Sequence, residues 1–219
     1  MDFPLMFNVL SALSKPGTSW EPSTVWIYNS LALDRLYDDP SDILIFVGNH
    51  DTPRLAHELG GDTEKIKMAY ALLATMRGVP QLYYGDEYGL QSADGTTGHS
   101  QERVDMPWGK FTRDQVELRK FVSDLFTWRK GSKAVANGDF VHFRPGEPNV
   151  YVYFRTVKGE AVMTILNAGE KDYTVDWDHF SEITAKFAQK GKNVITGERI
   201  RVGDGYVVEP GTAAIIELR

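Results

Sequence analysis

The hydrophobic positions change their period partway along the chain. Residues 24–37 place Val25, Tyr28, Leu31 and Leu36 at roughly helical spacing, which predicts a helix. Ile43 to Gly48 reads ILIFVG, a continuous apolar run of the kind found in strands buried on both faces of a parallel sheet. Asp62-Thr63-Glu64 supplies cap-type residues for a second helix. Its positions Ile66, Met68, Ala69, Leu72, Leu73 and Met76 form a broad apolar face, and Gly78 stops it. Val79 to Tyr84, VPQLYY, predicts another short buried strand. A polar, irregular stretch over 85–112 follows. A third helix is predicted over 113–130 after Thr112, with Val116, Leu118, Phe121, Leu125, Phe126 and Trp128 on its apolar side. At the start, Met1 to Leu5 is a short apolar run punctuated by Pro4, and residues 6–20 read as loop.

Beyond Lys130-Gly131-Ser132 the period drops to two. Short alternating runs at 139–144, 149–156, 160–166, 171–177, 193–202 and 205–218 are separated by Pro-Gly, Lys-Gly, Ala-Gly and Gly-Asp-Gly turns. That texture predicts an antiparallel sandwich or barrel. The expected organisation is an α/β segment over 1–133 and an all-β domain over 134–219.

Composition narrows the function. Of 219 residues, 42% are hydrophobic and 25% charged, as in ordinary globular proteins. The net charge of −6, with both signs interspersed, gives no basic stripe for nucleic acid. No run reaches the roughly 18 apolar residues of a membrane span. The absence of cysteine excludes disulfides and thiolate metal sites and leaves the compartment undetermined. MDFPLMFNVL carries no basic leader and reads as a chain beginning inside a folded element. Aromatic residues make up 12%, enough to supply sugar platforms or simply β-sheet core.

Asn49-His50-Asp51 follows the run 43–48 directly. Active-site residues of parallel α/β folds gather at the carboxyl ends of strands. A carboxylate beside an imidazole there can bind substrate hydroxyls and stabilise positive charge, as an oxocarbenium-like state requires. The same Asp51 could instead cap the following turn. The residues alone leave both readings open.

FVGNHDTPR at 46–54 resembles the end of the seventh barrel strand in the α-amylase family of glycoside hydrolases, and GVPQLYYGDEYGL at 78–90 resembles that family's eighth strand and loop. ERVDMPWG, LRKFVSDLFTWRKGSKAVANGDF and NVITGERIRVGDGYVVEPGTAAIIEL are similar to the stretches that follow, and DFPL at 2–5 is similar to the end of the sixth strand. The likeness covers nearly the whole chain and leans toward the neopullulanase and cyclomaltodextrinase branch. It implies an incomplete (β/α)₈ barrel segment, strands six to eight, followed by a β-sandwich. It implies Asp51 as the carboxylate that stabilises the transition state, His50 as a hydrogen bond to the same sugar, and Arg54 as a residue near the substrate. Glu87 matches a loop-supporting position, and Tyr83 and Tyr84 packing positions. The implied partner is an α-glucan oligosaccharide, in a parent of bacterial type, cytoplasmic or exported.

Retaining hydrolysis needs two carboxyls about 5 Å apart, a nucleophile and an acid/base. In that family they follow strands four and five, and no segment here matches those. Asp2 is the sole early candidate, while Asp86, Glu87 and Asp94 fall in the wrong part of the barrel. A full barrel takes roughly 250 residues. Three strands at most precede the sandwich, so their edges stay open and invite self-association. The expectation is a piece of a glycoside hydrolase, inert alone. The alternative is a non-catalytic carbohydrate-binding or structural sandwich.

No cofactor is implied. Calcium, plausible for the parent, would need the loop 92–105 with Asp94, Glu102 and Asp105, which lacks a calcium-loop pattern and reads as a solvated loop. His57, His99, His142 and His179 show no zinc spacing. Among Trp20, Trp26, Trp108, Trp128 and Trp177, Trp128 reads as core and Trp177 as a strand-end residue open to a sugar contact.

Overall fold

The structure, a computed structural model, describes residues 1–15, 17–18, 23–93, 98–144, 146–147 and 149–219, with the backbone alone at 98–99. Trp20 and Asp94 lie outside the described residues.

The chain opens with a helix, α1 (Phe3–Ser14), where the apolar run and Pro4 suggested a strand end and a loop. Proline is tolerated in a first helical turn, where its missing N–H has no partner to lose. Asp2 caps that turn by accepting from Leu5 N–H at 3.1 Å. Leu5, Met6, Val9, Leu10 and Leu13 then share a buried face. The expected sixth strand is reduced to one contact, Asp2 N–H to Leu44 O at 2.9 Å.

α2 (Ser23–Leu31) is followed by a 3₁₀ turn at Asp34–Leu36, so the helix expected over 24–37 breaks early. β1 (Leu44–Ile45), the short α3 (Leu55–Glu58), α4 (Thr63–Thr75) and β2 (Val79–Pro80) follow. β1 and β2 pair in parallel, Leu44 opposite Val79. Two parallel strands are therefore present among the described residues, each two residues long. Val79 N–H donates to Ile43 O at 2.9 Å and Gln81 N–H to Ile45 O at 2.8 Å, and the N of Pro80 between them faces away from β1. Gly78, at φ +95, stands where a Cβ would meet Ile43 O at 2.4 Å, so only glycine lets the chain pass from α4 to β2.

α5 (Arg113–Gly131) starts from a capping box in which Thr112 and Gln115 satisfy each other's backbone N–H. α6 (Lys133–Asn137) leads into the all-β part: β3 (Asp139–Phe143), β4 (Val150–Val157), β5 (Glu160–Asn167), β6 (Tyr173–Thr174), α7 (Ser181–Thr184), β7 (Lys190–Asn193), β8 (Arg199–Arg201), β9 (Val207–Val208) and β10 (Thr212–Leu218). Six strands form an antiparallel sheet in the order β3-β4-β5-β10-β7-β8, and β6 pairs with β9 in a second, small sheet. The architecture is thus an incomplete α/β barrel segment followed by an antiparallel sandwich.

The strand period sorts the core into two layers. Tyr151, Tyr153, Val162, Leu166 and Ile215 face the helices and share a cluster with α1, α4 and α5. Val150, Val152, Phe154, Met163 and Ile216 face the other way, against Val175, Trp177, Phe180 and Val208. α4, buried along almost its whole length, lies on the sheet, and its Thr75 Oγ1 is 2.6 Å from Tyr153 OH. At the junction of the two halves, Asn149 adopts a left-handed φ of +67. Its Oδ1 accepts from Gly17 N–H, Ser23 N–H and Ser23 Oγ, which ties the approach to α2 onto β4. Among the described residues no helix is long and apolar enough to cross a membrane.

Candidate functional site

The chain leaves β1 through buried Phe46 and Val47 and turns at Gly48-Asn49-His50-Asp51-Thr52. Two neighbours hold this turn. Asn49 Oδ1 accepts from Asp51 N–H at 2.8 Å, and Thr52 Oγ1 accepts from Asn49 N–H at 3.0 Å. Both side chains are buried. The capping role open to Asp51 thus falls to Asn49 and Thr52, and the Asp51 carboxylate projects outward.

His50 and Asp51 keep 54% and 49% of their side-chain surface in solvent. His50 Nε2 lies 3.2 Å from Asp51 Oδ2, and Arg103 Nη2 donates to Asp51 Oδ1 at 3.1 Å. A carboxylate, an imidazole and a guanidinium therefore meet at one exposed spot beyond the carboxyl end of a parallel strand. The carboxylate can accept from hydroxyls and counter a developing positive charge, and the two nitrogen groups can donate.

Arg54 behaves differently. Its side chain is fully buried, as is that of Asp86, and Nη1 donates to Asp86 Oδ1 at 3.0 Å and to Tyr84 O. The guanidinium carbon lies 4.5 Å from the centre of the Tyr83 ring and 4.7 Å from that of Tyr84, so the cation rests against two aromatic faces. Arg54 N–H donates to Glu102 Oε2 at 3.0 Å, and the same oxygen accepts from Ser92 Oγ at 2.6 Å. One residue thus links the loops after β1 and β2 and the segment around Glu102. No part of its side chain reaches solvent. Glu87, the loop position singled out from sequence, is half-buried.

The missed residue is Asp86. The signal for it was present: an arginine next to a buried strand needs a carboxylate, and Gly-Asp-Glu after β2 offers one. Burial pushes the Asp86 carboxyl up to about 7, against the pull of Arg54, with Glu87 and Glu102 adding to the rise. Burial, with the charges of Asp86 and Glu87, holds the Tyr70 hydroxyl well above its ordinary range. Oδ2 of Asp86 is wedged against Gly48, where a Cβ would stand 2.8 Å away, so glycine at 48 lets the pair close under the turn.

Other sequence candidates are placed as follows. Among the described residues no group of three or more His, Asp or Glu could hold a metal ion. Trp177 is 7% exposed and donates through Nε1 to Asp204 O, so it packs in the sandwich and is not open to a sugar. Trp128 donates to Glu217 Oε1 across the helix–sheet junction. Trp108 is largely exposed, edge-on to Phe111.

Comparison with known proteins bears on the family and the fold. Residues 1–144 match the α-amylase catalytic domain, and residues 140–217 match the cyclo-malto-dextrinase C-terminal domain. A cyclomaltodextrinase of Geobacillus thermopakistaniensis is 35% identical over 158 residues, 70% of this chain and 24% of that protein. A maltogenic α-amylase of Bacillus acidopullulyticus is 27% identical over 217 residues, 95% of this chain and 34% of that protein. The crystal structure of a Geobacillus thermoleovorans α-amylase complexed with acarbose superposes with a TM-score of 0.80 at 20% identity, over 100% of this chain and 47% of that one. The chain spans about a quarter to a third of those two curated relatives. From its outward carboxylate–imidazole pair to its cyclomaltodextrinase-type sandwich, the chain belongs to the α-amylase family of glycoside hydrolases.

Proposed function

We propose that this chain carries one wall of the substrate cleft of an α-glucan hydrolase of the neopullulanase and cyclomaltodextrinase branch, and does not break the glycosidic bond alone. The carrying observation is the exposed Asp51–His50 pair, set outward because Asn49 and Thr52 hold the turn. Asp51 accepts from hydroxyls of the sugar at the cleavage point and stabilises positive charge on its ring as the bond breaks. His50 donates to the same sugar. Arg54 acts as a positioning residue: it locks the loop behind Asp51 to Asp86 and Glu102 and does not touch substrate. In this reading residues 1–133 belong to the catalytic barrel and 134–219 to the sandwich that supports it.

Double displacement needs a nucleophile and an acid/base flanking the scissile bond. Asp86 and Glu102, the other carboxyls of this network, are 1% and 2% exposed and committed to Arg54, so neither can approach a sugar. The pure 219-residue chain should therefore release no reducing sugar from maltooligosaccharides or pullulan, while maltotriose shifts the amide resonances of His50 and Asp51 at millimolar sugar. Turnover would overturn the first half of the proposal, and unmoved resonances the second.

Met1, Phe7, Val79 and Leu82 are exposed, and among the described residues no further strand pairs with β1 or β2. A second copy covering them would make the chain a dimer in solution. Light scattering that returns a monomer mass at all concentrations rules this out.

A further inference from the structure

A cleft of about 790 Å³ lies in the sandwich, away from Asp51, between the turn from β3 to β4, the loop from β5 to β6 and the segment before α7. Its floor is the sheet face turned away from the helices, at Val150 and Val152. No lining residue belongs to the loops that carry Asp51.

Two walls differ in chemistry. One is aromatic: exposed His179 and half-buried Phe143 have ring centres 5.6 Å apart, and both pack on buried Phe180, at 4.9 Å each. The other is polar. Tyr173 is half-buried there, and burial together with the negative charges of Asp176 and Glu147 raises its hydroxyl above the ordinary value. Arg144 and Lys171 add donors at the rim. The volume suits a small oligosaccharide. Sugar rings present an apolar face and a rim of hydroxyls, which match an aromatic wall facing dispersed donors and acceptors. The carboxylates Glu147, Glu170, Asp172 and Asp176 outnumber the two basic groups, which disfavours an anion. The described residues assemble no metal cluster here.

We infer that this cleft is a second carbohydrate site, binding a neutral oligosaccharide through Phe143, His179 and Tyr173 without catalysis. The inference stands whether or not Asp51 binds sugar, and the test separates the two. The ¹⁵N-labelled 219-residue chain is titrated with maltotriose, alongside His179→Ala, Tyr173→Ala and Asp51→Ala. Both His179 and Tyr173 are outside the buried core, and an unchanged dispersion of amide signals verifies that each variant folds. The expected result is saturable shifts at Phe143, Tyr173 and His179 that Asp51→Ala leaves intact and each cleft variant weakens by about tenfold or more, roughly 1.4 kcal/mol. No shift at the cleft overturns the inference. So do cleft shifts that disappear with Asp51→Ala, or cleft shifts induced by spermine and not by maltotriose, which would mark a cation site.

Discussion

Asp86→Ala should destabilise the chain by about 3–5 kcal/mol, because it strips the partner from a buried arginine. Arg54 is wholly buried, and its alternatives are one carbonyl and two aromatic faces. A loss of that size is a large part of the ~5–15 kcal/mol that holds a domain together. Asp86→Asn keeps an acceptor for Arg54 Nη1 and should cost markedly less. Urea unfolding of the three proteins checks the order, and an alanine variant as stable as the parent chain would refute the role given to the pair.

The same carboxyl gives a pH dependence with a definite sign. Burial raises it from an ordinary 3.8 to about 7 in the folded chain. Between those values the folded chain keeps a proton that the unfolded chain has lost. Stability from this group is therefore complete below the unfolded value and declines as pH rises toward and through about 7. Glu160 opposes this at the acid end. Burial raises it, but hydrogen bonds from Ser132 and Ala134 and the charge of Arg219 outweigh burial and hold it below its ordinary value. Its contribution is lost as pH falls. Urea midpoints should thus decline from about pH 5 to about pH 8, and Asp86→Asn should flatten that slope while leaving the acid limb unchanged. A parent chain with no slope in this range contradicts the burial argument.

The second large effect is expected at Arg77. It is 3% exposed and donates through Nε to Asp34 Oδ2 at 2.7 Å, and through Nη2 to Asp2 Oδ2 at 2.8 Å and Asp34 Oδ1 at 2.6 Å. Asp2 is also the cap of α1, so this guanidinium joins the start of the chain, the turn after α2 and the end of α4. Arg77→Ala leaves a buried carboxylate at Asp2 without its cation and should cost about 3–5 kcal/mol. Arg77→Lys should recover only part, since an ammonium cannot present the two-pronged donor that Asp34 uses. Hydrogen exchange should rise first in α1. Unchanged protection there, with an unchanged urea midpoint, would show that α1 is held by its apolar face alone.

Several elements were legible from residues. Asp62 and Thr112 announced α4 and α5 because a side-chain acceptor satisfies first-turn N–H groups by local geometry. The period-two runs announced the sheet because alternate side chains face opposite layers whatever the partner strand. α1 was misread because Pro4 carries the same punctuation in a first helical turn as at a strand end, and only the cap from Asp2 distinguishes them. The apolar runs at 43–48 and 79–84 are longer than their two-residue ladder, since apolar character marks burial while a ladder needs a neighbouring backbone in register. Trp177 looked open at the end of its run, and the chain near Asp204 closes over it.

The sequence by itself determined the helix caps, the strand period and the Asn-His-Asp turn after an apolar run, all consequences of interactions within a few residues. The tertiary structure alone decided that Asn49 and Thr52 hold the turn so that Asp51 faces outward, that Arg54 is sealed against Asp86, and that an aromatic and a polar wall meet across the sandwich. Burial and charge pairing depend on what lies opposite in space, and segments far apart in the chain supply it.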